Sequence, residues 1–243
     1  MPRGFDHSRG HFHIIVVALW RKAADNLSVM QNNDPRSASR VSHLNSQTFV
    51  IAIAGTSGAG KSTLMEELVA RLGNANALSL DDYESSSVYP PVREWLAGGA
   101  DPNQFQTPQF VAAALALREG KSIVHPLTGQ VMQSASYLLL EEHFGRARAG
   151  MRDMIDFLVY LDLPLEVAHA RKLLRKNDFF PWEDNPEVFI RNLRDHLNWY
   201  ITFGRDFYVA VKTMAIKDCD LVVDGRLSTE QIADQVIEAL KKR

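Results

Sequence analysis

The segment from residue 49 to residue 73 constrains the fold of this chain more than any other. It opens with an unbroken apolar run, Phe49-Val50-Ile51-Ala52-Ile53-Ala54, and continues as Gly55-Thr56-Ser57-Gly58-Ala59-Gly60-Lys61-Ser62-Thr63. Leu64, Leu68 and Leu72 then recur at i, i+4 and i+8 until Gly73. A continuous apolar run suits a strand covered on both faces, and the leucine spacing suits one face of a helix that a glycine ends. Between them stands G-x-x-x-x-G-K-S in the strand–loop–helix context that a phosphate-binding loop requires. Its glycines let backbone N–H groups turn toward a phosphate, and the helix N-terminus adds partial positive charge. In such a loop Lys61 would bridge the β- and γ-phosphates and the Ser62 hydroxyl would ligate Mg²⁺. Residues 55–63 therefore predict ATP or GTP binding together with Mg²⁺.

A strand buried on both faces requires layers above and below it. Four further apolar runs supply the sheet: Ala77-Leu78-Ser79-Leu80, Tyr137-Leu138-Leu139-Leu140, Phe157-Leu158-Val159-Tyr160-Leu161 and Asp220-Leu221-Val222-Val223. Helical patterns separate them at 110–118, at 165–176 behind Asp162 and Pro164, and at 186–211 with Gly204 as a point of bending. The last helix opens on a capping box, Ser228-x-x-Gln231. Strands alternating with helices predict an α/β three-layer sandwich, a five-stranded parallel sheet with helices on both faces.

Composition narrows the partners. The 243 residues are 46% hydrophobic and 23% charged, which excludes collagen-like, wholly disordered and disulfide-scaffold classes. Lys and Arg number 27 against 29 Asp and Glu, a net charge of -2, so nucleic acid is not an expected partner. The single cysteine, Cys219, cannot form an internal disulfide and reads as a small buried hydrophobe in a reducing compartment. No stretch reaches the roughly 18 apolar residues of a spanning helix, so a cytoplasmic protein with no membrane partner is expected. Residues 1–46 carry Arg3, Arg9, Arg21, Lys22, Arg36 and Arg40 against Asp6, Asp25 and Asp34, while the remainder is acidic. This shift divides the chain into an N-terminal extension, 1–46, and a phosphate-loop domain, 47–243.

Three classes share such a loop: GTPase switches, transport ATPases and small-molecule kinases. Neither D-x-x-G nor N-K-x-D occurs, and no L-S-G-G-Q signature is present. The second strand run ends instead in Ser79-Leu80-Asp81-Asp82-Tyr83. In a parallel sheet that end opens into the same crevice as the phosphate loop, where an acid would face a substrate hydroxyl. Asp81 is the candidate base, with Asp82 as its competitor. Arg171 and Arg175, four apart on one helix face, are candidates to reach the same phosphates, and Lys172 lies on another face.

On these residues the chain resembles the uridine kinase-like family of phosphate-loop kinases, a group that includes pantothenate kinase and phosphoribulokinase. Ser79-x-Asp81-x-Tyr83 is similar to the family's base motif, Leu138-Leu139-Leu140-Glu141 to its third strand, and Arg171-Lys172-Leu173-Leu174-Arg175 to its arginine-bearing lid. The resemblance implies a short lid and an ATP- and Mg²⁺-dependent transfer to a hydroxyl of a small-molecule acceptor. It implies roles for Lys61, Asp81, Arg171 and Arg175 in catalysis, and for Ser62 and Glu141 in organising the metal. Departures accompany it. Glu142 stands where the family has Gly, Lys172 and Lys176 replace an Arg and an Asp, and Ala100 occupies the slot of a ribose-binding acid. His125-Pro126-Leu127-Thr128-Gly129-Gln130 replaces a pyrimidine-gripping cluster.

These departures predict a smaller hydroxylated or acidic acceptor, with Asp101, Gln104, Gln106, Gln130 and Arg93 as its polar contacts. A regulatory nucleotide-binding module without catalysis, and a nucleoside kinase with a rebuilt pocket, are the alternatives. The aromatic run Phe179-Phe180-Pro181-Trp182 is a candidate cover for adenine or acceptor. His125, His143, His169 and His196 lack metal-ligand spacing and read as core or surface residues. The sequence leaves a homo-oligomer open.

Overall fold

The computed structural model describes residues 47–175 and 185–243. The extension 1–46, Lys176 and the aromatic run at 179–182 lie outside the described residues. Seven strands are present among the described residues: β1 (Phe49–Gly55), β2 (Ala75–Ser79), β3 (Ile123–Val124), β4 (Val131–Met132), β5 (Tyr137–Glu141), β6 (Phe157–Asp162) and β7 (Leu221–Asp224). Five of them form one parallel sheet in the order β2-β5-β1-β6-β7, and β3 and β4 form a separate antiparallel hairpin. The helices are α1 (Lys61–Leu72), α2 (Val92–Ala97), α3 (Pro108–Arg118), α4 (Ala149–Arg152), α5 (Leu165–Leu174), α6 (Pro186–Trp199), α7 (Arg205–Lys217) and α8 (Thr229–Leu240).

Alternation along β1 separates the two outer layers, because successive side chains leave opposite faces of a strand. Val50, Ala52 and Ala54 pack with Phe110, Ala114 and Leu117 of α3 and with Ala215 of α7. Ile51 and Ile53 pack on the other side with Leu64 and Leu68 of α1 and with Ile232 and Val236 of α8. All five β1 residues are fully buried. Burying each of the larger side chains stabilises the fold by about 1.5–3 kcal/mol. This is the three-layer α/β architecture that the apolar runs predict. Cys219 is half-buried rather than buried, at the margin of the first layer.

The predicted helix over 186–211 runs on to Lys217 and is not uniform. A π-turn at Tyr200–Gly204 joins α6 to α7. Gly204 keeps ordinary helical dihedrals there, but a Cβ on it would lie 2.4 Å from the Trp199 ring. The glycine's role is therefore close approach. The capping box on α8 forms as expected, with Gln231 N–H donating to Ser228 Oγ and Ser228 N–H to Gln231 Oε1.

A third, aromatic cluster lies beside the sheet. Trp95 of α2, Phe105, Phe144 just after β5, and Phe207 of α7 meet with ring centroids 4.8–6.1 Å apart. This cluster fixes the wall opposite the phosphate loop.

Candidate active site

Strand register gathers the first residues of the site. Ile53 and Ser79 both stand level with Glu141, so the loops leaving β1 and β2 start on either side of the same carboxylate. The loop after β1 turns through Gly58 at φ +90° and Gly60 at φ +101°, values that L side chains rarely adopt. Gly58 has a second constraint: a Cβ there would lie 2.1 Å from the Ala168 carbonyl oxygen of α5. Helix α5 thus rests directly on the loop.

Lys61, the first residue of α1, is buried and makes two contacts. Its Nζ is 3.3 Å from Glu141 Oε1 and donates to the Thr56 carbonyl at 3.3 Å. Glu141 Oε2 accepts from Ser62 Oγ at 3.3 Å and from Ser79 Oγ at 3.0 Å. Burial pushes the Glu141 carboxyl up, but the Lys61 charge, His143 and the hydrogen bonds from Ser79 and Lys61 outweigh it and hold the group below its ordinary range. Lys61, Ser62 and Glu141 are therefore one connected set.

After β2 the chain forms a 3₁₀ turn, Leu80–Ser86. With three residues per turn, side chains at i and i+3 eclipse. Leu80 and Tyr83 consequently share the buried side, while Asp81 and Glu84 both line the cavity. Burial, then the Glu141 charge, pushes Asp81 up to about 6, against the pull of Lys61 and Lys172. Burial, then Asp81, pushes Glu84 up to about 7. Asp82 points elsewhere: its Oδ2 lies 3.3 Å from His125 Nε2 on the hairpin side, and burial and Asp81 push it up to about 7. Of the two candidate bases, the cavity wall holds Asp81.

The structure places the two lid arginines away from the cavity. Arg171 on α5 and Arg175 just after it are both exposed, and the Arg171 guanidinium donates to the Gly225 carbonyl at 3.1 Å. Neither lines the cavity. The neighbouring Lys172 does, buried with Thr56 and Ser57. One residue step turns a helix by about 100°, and the docking of Ala168 on Gly58 decides which side faces in. Burial lowers the Lys172 ammonium to about 8, although Asp81 works in the opposite direction.

The remaining wall is aromatic with one ion pair. Glu142, fully buried, pairs with Arg148 Nη2 and accepts the Phe144 N–H at 3.0 Å. Arg148 Nη1 donates to Thr107 Oγ1 at 2.7 Å and to the Phe105 carbonyl at 3.1 Å. His143 lines the cavity and is lowered to about 3 by burial, with the Lys61 charge next in weight. The Tyr208 hydroxyl is hydrogen-bonded with Ser57, which ties α7 to the loop. The enclosed space is about 140 Å³.

The residues expected as acceptor contacts stand outside the cavity. Asp101, Gln104, Gln106, Gln130 and Arg93 are all exposed, and none lines the cavity. Asp101 instead caps the turn at Pro102–Gln104 through the Asn103 N–H. Glu84, His143, Arg148 and Lys172 line the cavity instead. Of these only Lys172 stood within a motif. Glu142 gave an indirect signal, since a carboxylate where the family has glycine demands a cation.

The residues present fit a phosphate group and a magnesium ion. Thr56 Oγ1 in the loop is buried without a hydrogen-bond partner among the described residues, and the positive-φ glycines leave N–H groups to form a cradle. Ser62 and Glu141 supply hard oxygen donors 3.3 Å apart. No group of three or more His, Cys, Asp or Glu capable of holding a metal exists among the described residues.

No family model matches the chain. Over 158 residues it is 29% identical to the chloroplastic phosphoribulokinase of Mesembryanthemum crystallinum, 54% of this chain and 40% of that protein. Over 145 residues it is 26% identical to the uridine kinase of Leuconostoc citreum, 54% of this chain and 69% of that protein. The chain is thus similar in sequence to phosphoribulokinases and uridine kinases. It spans less than half the length of the phosphoribulokinases that it matches. Among solved structures, shikimate kinase from Aquifex aeolicus aligns with this chain at a TM-score of 0.43 and 14% identity, over 79% of this chain and 96% of that one. No helix among the described residues is long and apolar enough to cross a membrane.

Proposed function

We propose that residues 47–243 form a kinase domain that transfers the γ-phosphoryl group of ATP, with Mg²⁺, to a hydroxyl of a small acceptor. The observation that carries this reading is the convergence of Lys61, Glu141 and Asp81 where β1, β5 and β2 end side by side. Lys61 and the loop N–H groups hold the donor phosphates. Ser62 and Glu141 would hold Mg²⁺, which would supply positive charge at the donor phosphates. Asp81 takes the acceptor's proton as the hydroxyl oxygen bonds to phosphorus and the bond to the ADP oxygen breaks. A carboxylate at about 6 is ionised at neutral pH yet still basic enough for that task. Lys172, rather than Arg171 or Arg175, supplies lid charge at the phosphates. Glu142, the departure that motivates a non-catalytic module, is engaged with Arg148 and not with Lys61 or Ser62.

The test is incubation with ATP·Mg²⁺ and a panel of hydroxylated metabolites, read as acceptor-dependent ADP. Lys61→Ala should cut turnover steeply, and Asp81→Asn should lose about 10²–10⁴-fold while ATP still binds. ATP binding without ADP formation across the whole panel would favour the regulatory module instead.

A further inference from the structure

We propose that the acceptor is an uncharged polyhydroxyl compound selected by Glu84, and that hydroxy acids and sugar phosphates are rejected. This rests on the kinase reading of the same cavity and goes further, to the acceptor's chemistry.

The argument is one of charge and unmet hydrogen bonds. The 3₁₀ turn sets Asp81 and Glu84 one above the other on the acceptor wall. An anionic acceptor would meet both carboxylates, so it would need an uncompensated cation beside them. Arg148 does not provide one: Glu142 neutralises it from behind, and its Nη1 is engaged by Thr107 and Phe105. Lys61 and Lys172 do attract Asp81, but both adjoin the phosphate loop, where the donor phosphates require them. With Arg148 engaged by Glu142 and the two lysines given to the donor phosphates, Asp81 and Glu84 are the groups left to meet the acceptor.

The same groups specify what would fit. Glu84 is half-buried beside Asp81 and pushed up to about 7 by desolvation and then by the Asp81 charge, and hydroxyl donors would relieve that. Arg148 Nε is buried with no hydrogen-bond partner among the described residues. An unmet buried donor costs about 1–3 kcal/mol, which an oxygen of the acceptor would recover. A compound bearing several hydroxyls offers donors to Asp81 and Glu84 and an oxygen to Arg148. The rings of Phe105, Phe144 and Phe207 give its C–H faces an apolar surface. A site whose buried polar groups need partners discriminates by large factors, about 10⁴ in favourable cases.

The experiment uses the full chain with Mg²⁺. Erythritol, ribitol and ribose form the neutral arm, glycerate, shikimate and ribulose 5-phosphate the anionic arm, and ethanolamine the cationic arm. Binding is followed by calorimetry beside a non-hydrolysable ATP analogue, and turnover by ADP release. A neutral probe should bind and react at least about 100-fold better than any charged one. An anionic or cationic probe equal to the best neutral probe overturns the proposal, and so does failure of every neutral probe to bind. Neutral binding without turnover upholds it and removes the kinase reading instead. Glu84→Gln should lower kcat/KM for the neutral acceptor about tenfold or more with the KM for ATP unchanged. Glu84→Lys should raise the ratio of anionic to neutral acceptor affinity by a similar factor. If neither variant moves its ratio, Glu84 is not the selecting residue.

Discussion

Replacing Glu142 by Ala would test the wall of the cavity most directly. The carboxylate is fully buried, its partner Arg148 is only 4% exposed, and the Phe144 N–H depends on it as well. Truncation leaves the guanidinium charged in a site that excludes water. Breaking a buried pair in this way costs about 3–5 kcal/mol. For a domain of this size each kcal/mol lowers the melting midpoint by about 2–4 °C, so the drop should be about 6–20 °C. Glu142→Gln should fall between parent and Ala, because it keeps acceptors for Phe144 and Arg148 but loses the charge. The double variant Glu142→Leu/Arg148→Met should recover most of the loss, since the cost lies in stranding one charge rather than in losing the pair. Urea unfolding at fixed pH, with midpoint and slope fitted separately, gives the numbers. The reasoning fails if Glu142→Ala lies within about 1 kcal/mol of the parent, or if the double variant is no more stable than the single one.

Further outcomes follow from the loop and the lid. Asp81 must be ionised and Lys172 protonated, so kcat/KM should rise with pH through about 6 and fall again through about 8; Lys172→Arg should abolish the alkaline limb, and a limb left in place would exclude Lys172 as its source. Gly58→Ala combines φ +90° with a Cβ 2.1 Å from the Ala168 carbonyl, so nucleotide affinity measured by titration should drop about tenfold or more; an unchanged Kd would show that α5 yields easily. Among the described residues Thr48 is the first anchored in the core, through its hydroxyl to Leu117, Ser134 and Ala135. Removing residues 1–44 should therefore shift the melting midpoint by less than about 2 °C, roughly 1 kcal/mol or less. A larger fall would place part of the extension on the fold.

What the sequence discloses depends on how local each requirement is. The phosphate loop is legible because a buried strand, two glycines at positive φ and a helix start are each set within a few residues. The sheet is legible for the same reason: each apolar run is complete in itself. Glu84 is not, because its pairing with Asp81 requires knowing that residues 80–86 wind at three per turn rather than 3.6. Nor is the choice of Lys172 over Arg171, since both are basic residues on one helix and only the contact of Ala168 with Gly58 orients it. Asp101 and Gln130 illustrate the reverse failure. They are polar residues in the connection that commonly carries acceptor contacts, yet both are exposed, and Asp101 caps its own turn. Glu142 was visible as an exception, but its explanation lay six residues on, in Arg148.

The π-turn at Tyr200–Gly204 has a consequence for how this chain can vary. A turn of that kind holds one residue more than an α-helical turn, so it offsets the angular phase of everything before it against everything after it by about 100°. The later half is anchored by Val211 and Ala215 in the core, and it carries Phe207 and Tyr208 to the cavity. The earlier half carries His196 and Trp199; His169 of α5 stacks on His196 and on Tyr200, the first residue of the turn itself. Deleting a single residue from the turn would leave two sound helices and an intact core. It would also rotate the lid's stacking partners away from α5, so the length of this segment is set to the residue by the need to serve two faces at once.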